Sequence, residues 1–144
     1  MPNSTSKMIE ILLVEDNPGD VELTREAFLE GKICNNMTVM RDGVEAFNYL
    51  KNPQSVYPDI ILLDLNLPRM GGLEVLEKIK ADPDLRVIPV VILTTSQDEA
   101  DIARSYHSHA NCYIAKPVDF EKFMQVVRSL EDFWLTVVRL PSHS

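Results

Sequence analysis

Asp59–Ile60–Ile61–Leu62–Leu63–Asp64–Leu65–Asn66–Leu67–Pro68 (DIILLDLNLP) sets four consecutive apolar residues between two aspartates. A run this short and uniformly apolar has no polar face, so a strand built from it must be covered on both sides. That is the condition of a strand inside a parallel sheet held between layers of helices. Its closing residue, Asp64, puts a carboxylate at the strand's C-terminal end.

The same pattern recurs on both sides of this stretch. Ile11–Leu12–Leu13–Val14, a weaker Thr38–Val39–Met40, Val90–Val91–Ile92–Leu93 and Cys112–Tyr113–Ile114–Ala115 complete five apolar runs. Amphipathic segments separate them. The first spans about Gly19 to Glu30, with Val21, Thr24, Ala27 and Phe28 on one face, and the second Val44 to about Lys51. The third, Leu73 to about Ala81, is expected to bury Leu73, Leu76 and Ile79 and to stop before Pro83. A fourth follows Asp98, and a fifth starts at Asp119, a good N-cap, and continues through Phe123, Met124, Val127 and Leu130. Strand then helix, five times over, specifies an α/β three-layer sandwich with right-handed crossovers. Five parallel strands in a doubly wound sheet most often take the order 2-1-3-4-5, and ligands then bind where strands 1 and 3 end.

The chain of 144 residues fits one domain, expected over residues 9–130, after a flexible tail at 1–8 and before an extension at 131–144. A net charge of -8 argues against nucleic-acid binding and against docking on anionic membrane. No apolar run approaches the roughly 18–20 residues of a membrane span. The polar start MPNSTSK lacks the apolar stretch of an export signal, so a cytoplasmic protein with reduced Cys34 and Cys112 is expected.

The strand ends carry the chemistry. Strand 1 closes in Glu15–Asp16 and strand 3 in Asp64, so three carboxylates converge if the strands are neighbours. Like charges that close raise one another's pKa and require a cation. Mg²⁺, which binds through one or two carboxylates and keeps several waters, suits the task. Strand 5 ends in Ala115–Lys116–Pro117, and the long lysine stem can reach inward; three acids, a dication and an ammonium then sum to zero. Strand 4 contributes the Thr94 hydroxyl. Taken singly, each has an ordinary reading: Asp16 before Asn17–Pro18 as a turn residue, Lys–Pro as a loop, Thr94 as a strand end. Together, in this chain order, they are the parts needed to handle a phosphoryl group.

With Leu12–Leu13–Val14–Glu15–Asp16–Asn17, the Asp59–Pro68 stretch, Met70–Gly71–Gly72, Val90–Val91–Ile92–Leu93–Thr94 and Tyr113–Ile114–Ala115–Lys116–Pro117, the sequence resembles a response-regulator receiver domain from Ile9 to about Leu130. The resemblance implies a flavodoxin-like, receiver-type fold and a phosphoacceptor rather than an enzyme. It makes Asp64 the residue that becomes an acyl phosphate. Asp16 and Asp64 would ligate Mg²⁺ (Mn²⁺ or Ca²⁺ as substitutes), with Glu15 acting through a coordinated water and Asn66 through its backbone carbonyl. Thr94 and Lys116 would meet the phosphoryl oxygens, Tyr113 would swing inward as a switch, and Lys116–Pro117 would be cis. Asn66 and Ser96 would flank the water that later hydrolyses the phosphate. Glu15 stands where many family members have Asp.

Beyond Leu130 the chain runs on through Phe133, Trp134, Leu135, Val137, Val138 and Leu140, more apolar surface than one helix stripe buries. This is either a tail folded back on the domain or a partner surface. The ending is similar to that of small response regulators paired with cyanobacterial phytochrome histidine kinases. That similarity implies a two-fold homodimer through the fourth and fifth helices and an arm bearing Phe133, Trp134, Leu135, Val138 and Leu140, with a phytochrome-type kinase as partner. The competing reading is a pseudo-receiver that never carries phosphate, which would normally lack Asp16, Asp64 or Lys116. An aspartyl-phosphate hydrolase would need a second Asp where Asn66 stands.

Overall fold

The computed structural model describes residues 8–31, 34–65, 67–94 and 112–129. The expected fourth helix after Asp98 and the extension at 131–144 lie outside the described residues. Five strands, β1 (Ile9–Val14), β2 (Asn35–Met40), β3 (Ile60–Asp64), β4 (Val90–Thr94) and β5 (Cys112–Ala115), form one sheet in the order β2-β1-β3-β4-β5. Every neighbouring pair is parallel, as the expected winding requires.

Alternate residues of the uninterrupted runs go to opposite sides of the sheet. Ile11, Leu13, Ile60, Leu62, Val91 and Leu93 face one apolar layer; Leu12, Val14, Ile61, Leu63, Val90 and Ile92 face the other. Helix α1 (Pro18–Glu30) and the C-terminal helix (Phe120–Ser129) cover the first side, and α2 (Gly43–Lys51) and α3 (Gly72–Ala81) the second. Phe28 of α1 packs on Phe123 of the C-terminal helix, ring centroids 4.5 Å apart.

The expected stripe of α1 is the buried one: Val21, Thr24, Ala27 and Phe28. In α3 the stripe is turned. Val75 is fully buried with Leu76 and Ile79, while Leu73 is only half-buried. The helix begins at Gly72, and 72, 75, 76 and 79 form the i, i+3, i+4, i+7 set that faces the sheet. Strands β1 and β2 also start earlier than their apolar runs. Ile9 and Glu10 pair with Asn35 and Asn36, because the ladder needs backbone groups rather than apolar side chains. Asn36 Nδ2 donates to Glu10 Oε2 at 3.0 Å across that pair.

Helix starts follow local capping rules. Asn17 caps α1, its Oδ1 accepting from the Asp20 amide at 3.1 Å, with Pro18 at the first helical position. Asp42 caps α2 by accepting from the Glu45 amide at 2.8 Å. Asp119 caps the C-terminal helix as expected, accepting from the Lys122 amide at 2.8 Å. Among the described residues no helix is long and apolar enough to cross a membrane.

Candidate functional site

Strand register brings the carboxylates together. Val14 lies beside Leu63 and Asp64 beside Leu93, so the residue after β1, Glu15, comes level with Asp64. Glu15 (1% exposed) and Asp64 (3%) are sunk at the strand tips, and Asp16 turns outward to solvent. One carboxylate oxygen from each of Glu15, Asp16 and Asp64 lies within 4.8 Å of the others. Three hard oxygen donors in that space fit a divalent cation such as Mg²⁺.

Lys116 comes from the far edge. Thr94 lies beside Ala115 in the β4–β5 pair, and the Lys116 amide donates to the Thr94 carbonyl at 2.8 Å, so the lysine leaves β5 at the level of the acids. Its Nζ reaches Glu15 Oε1 at 2.8 Å and Asp64 Oδ2 at 3.2 Å, bridging the two buried carboxylates. The Lys116–Pro117 peptide is cis, as expected. Thr94 is buried at the end of β4, and Tyr113 is half-buried on β5, packed on the α2–α3 side of the sheet.

Two features go beyond the sequence reading. Glu15 is expected to act through a metal-bound water, yet here its carboxylate also pairs directly with Lys116. And Lys116 has a third acidic partner, Asp20 Oδ2 at 3.0 Å, which the reading of strand ends missed. Among the described residues four carboxylates therefore surround the site, and with them the neutral sum of three acids, a dication and an ammonium becomes one negative charge in excess. Asp20 escaped notice because it sits in a helix's first turn, where an acid already has the macrodipole as a reason. Its place four residues after Asp16, one turn above the acidic pair, is the signal that reveals it.

The electrostatics show the strain of the arrangement. Burial pushes the Glu15 carboxyl up to about 7; hydrogen bonding to Lys116 opposes this, and the charge of Asp64 adds to it. For Lys116 burial acts downward, but hydrogen bonds to Glu15 and Asp20 and the charge of Asp64 outweigh it, so its net shift is upward and it stays an ammonium. One ammonium thus leaves Glu15 reluctant to ionise, which is the deficit a dication would fill.

The loop after β3 is tightly built. The Met70 amide donates to the Pro68 carbonyl at 2.8 Å, making a γ-turn centred on Arg69, whose φ of 67° lies in the left-handed region. This rarer turn costs a non-glycine residue about 1 kcal/mol or more. Arg69 is tied to the α2 cap by an ion pair to Asp42 at 3.1 Å. Gly72 then lets α3 start against the site: a β-carbon there would lie 2.3 Å from the Asp64 carbonyl oxygen. Gly71 meets no such constraint. Asn66, Ser96 and the arm residues Phe133, Trp134, Leu135, Val138 and Leu140 lie outside the described residues.

Known proteins resemble this chain in sequence and fold over nearly its whole length. Response regulator Rcp1 of Synechocystis sp. is 43% identical over 136 residues, 92% of each chain; its Mn²⁺-bound structure superposes with a TM-score of 0.70, covering 92% of this chain and 99% of that one. The bacteriophytochrome response regulator AtBRR is 42% identical, with a TM-score of 0.81 over 92% of this chain and 99% of that one. The phosphorylated cyanobacterial phytochrome response regulator RcpA is 45% identical, with a TM-score of 0.72 over 94% and 99%. With residues 11–128 matching the response regulator receiver domain, and with its acids and lysine gathered at the ends of strands 1, 3 and 5, this chain belongs to the response regulator receiver family.

Proposed function

We propose that this receiver accepts a phosphoryl group on Asp64 from the phosphohistidine of a phytochrome-type sensor kinase, with Mg²⁺ held by Asp16, Asp64, Glu15 through a water, and the Asn66 carbonyl. The observation that carries the reading is the Lys116 ammonium, 3.2 Å from Asp64 inside a carboxylate cluster of metal-binding dimensions. Similarity to phytochrome response regulators, one of them phosphorylated and another Mn²⁺-bound, supports it.

Phosphoryl transfer through a loose transition state asks the protein for positioning and charge. Asp64 supplies the attacking oxygen. Lys116 moves from the Asp64 carboxylate to a phosphoryl oxygen, and the Thr94 hydroxyl donates to another. The metal, when bound, neutralises charge on the transferring oxygens. Tyr113 follows Thr94 inward and alters the surface around β5. Asn66 and Ser96 orient the water that later cleaves the acyl phosphate, so the protein resets itself without acting on any other substrate. The signal passes by protein contact in the cytoplasm, with neither nucleic acid nor membrane, and a two-fold dimer forms through the arm at 131–144.

The test is transfer from radiolabelled, autophosphorylated phytochrome-type kinases. Label should move to the wild type within minutes and never to Asp64→Asn; label that stays on every kinase would favour the pseudo-receiver reading. Sedimentation should show a dimer that Trp134→Ala weakens, and a monomer at all concentrations would remove the arm's role.

A further inference from the structure

The three hydrogens of Lys116 Nζ have three carboxylate partners, and only two of these belong to the metal cluster. Glu15 Oε1 at 2.8 Å and Asp64 Oδ2 at 3.2 Å are groups that a dication and a phosphoryl group would each engage. Asp20 Oδ2, at 3.0 Å, stands outside that set. Its backbone is held at the start of α1: Asn17 Oδ1 accepts from the Asp20 amide, and the Asp20 carbonyl accepts from the Thr24 hydroxyl at 2.9 Å. Leu23, Thr24, Leu93 and Val118 wall the crevice around the contact, which is too narrow for a water molecule. The Lys116 side chain is 9% exposed and that of Asp20 31%, so the pair is shielded on the lysine's side.

We propose that Asp20 is a positioning residue for phosphoryl transfer, the permanent anchor that keeps the Lys116 ammonium aimed at the Asp64 position when Glu15 and Asp64 are engaged by other ligands. This rests on the reading of Asp64 as phosphoacceptor. An ammonium on a four-carbon stem has many rotamers, and without a fixed acceptor it loses the pre-organisation that transfer requires. Asp20 itself touches neither the reacting atoms nor the metal. An acid needed only for the helix dipole would have no effect on the lysine.

Two measurements on the full chain decide the matter. The first is the maximal rate of phosphorylation by saturating acetyl phosphate with Mg²⁺. Asp20→Ala should lower it about tenfold, the loss of one charge-assisted hydrogen bond. Asp20→Asn, which keeps an accepting oxygen, should recover most of it. The Mg²⁺ dissociation constant should stay within about twofold in both, since Asp20 is no ligand. An unchanged rate, or a faster one because a competitor for Lys116 has gone, overturns the proposal. The second is the ¹H–¹⁵N signal of the Lys116 ammonium, assigned by its loss in Lys116→Met. It should persist with Mg²⁺ in the wild type and in Asp20→Asn, and broaden away in Asp20→Ala. Persistence in Asp20→Ala overturns the anchor even if no phosphorylation is seen. A wild type that shows the anchored signal but takes up no phosphoryl group would instead count against Asp64 as acceptor.

Discussion

Two lysine–aspartate contacts at different places in this molecule have the same chemistry and different consequences. Lys51, the last residue of α2, bonds Asp82 at the end of α3, with a lysine side chain 52% exposed. Each partner strengthens the ionisation of the other through that hydrogen bond, and solvent bathes the lysine while the Asp82 side chain is 10% exposed. The Lys116 side chain is buried and faces three acids, two of which, Glu15 and Asp64, are sunk out of solvent and have its charge to compensate them. An exposed pair exchanges one set of solvated partners for another and contributes little. A buried cluster leaves unpaired charge behind when one member goes, and so can hold tension that a ligand relieves. The difference lies in what surrounds each lysine.

The largest effect expected from pressing on this contrast is chemical. Asp64→Asn keeps the shape of the cluster and removes the proposed phosphoacceptor, so phosphoryl uptake from acetyl phosphate should fall to background while the circular dichroism of the fold is unchanged. Next comes Lys116→Ala in metal-free protein, where Glu15 and Asp64 lose the ammonium that lies between them. Urea unfolding should show a loss of about 3 kcal/mol. Saturating Mg²⁺ should restore part of that loss, and so should lowering the pH, because the loss of Lys116 leaves Glu15 more ready to take up a proton.

The third effect is of similar kind and smaller. Glu15 has a folded-state pKa of about 7 against an ordinary 4.5. Between those values the native state holds the proton and the unfolded chain does not. Metal-free stability therefore falls as pH rises from about 4.5 to 7, by at most about 3 kcal/mol, and levels off above. Glu15→Gln should flatten the slope in this window. Mg²⁺ needs the ionised form, so its apparent affinity should rise through the same window and release a proton on binding. The smallest effect belongs to the exposed pair. Lys51→Ala should leave Mg²⁺ affinity and phosphorylation unchanged and the melting temperature within error. A loss rivalling that of Lys116→Ala would dissolve the comparison.

The sequence was informative where one physical demand outweighed the rest. Both faces of β3 are buried, so its apolar run has one sensible reading, and the parallel order follows from strand–helix alternation. The Val21, Thr24, Ala27 and Phe28 face of α1 was legible because nothing competes for it. Legibility failed where side chains answer two demands. Leu73 looked like core by spacing, but a helix that starts one residue earlier, at a glycine required by close approach to Asp64, turns it partly outward in favour of Val75. Glu15, Asp16, Asp64 and Lys116 were found because strand ends converge in this topology. Asp20 was not, since an acid in the first turn of α1 already has the helix dipole as its reason. Asn66 and the arm belong to segments where the sequence reading stands by itself.

Whether one cluster of carboxylates both holds a dication and offers Asp64 to a phosphoryl donor is tested most directly in a single titration. Intact protein is incubated with acetyl phosphate over a range of Mg²⁺ and weighed by mass spectrometry, alongside Asp16→Asn and Asp64→Asn. The expected result is one added phosphoryl group that requires Mg²⁺, needs far more of it in Asp16→Asn, and is absent from Asp64→Asn. A phosphoryl group acquired equally well without metal, or retained in Asp64→Asn, would contradict the account.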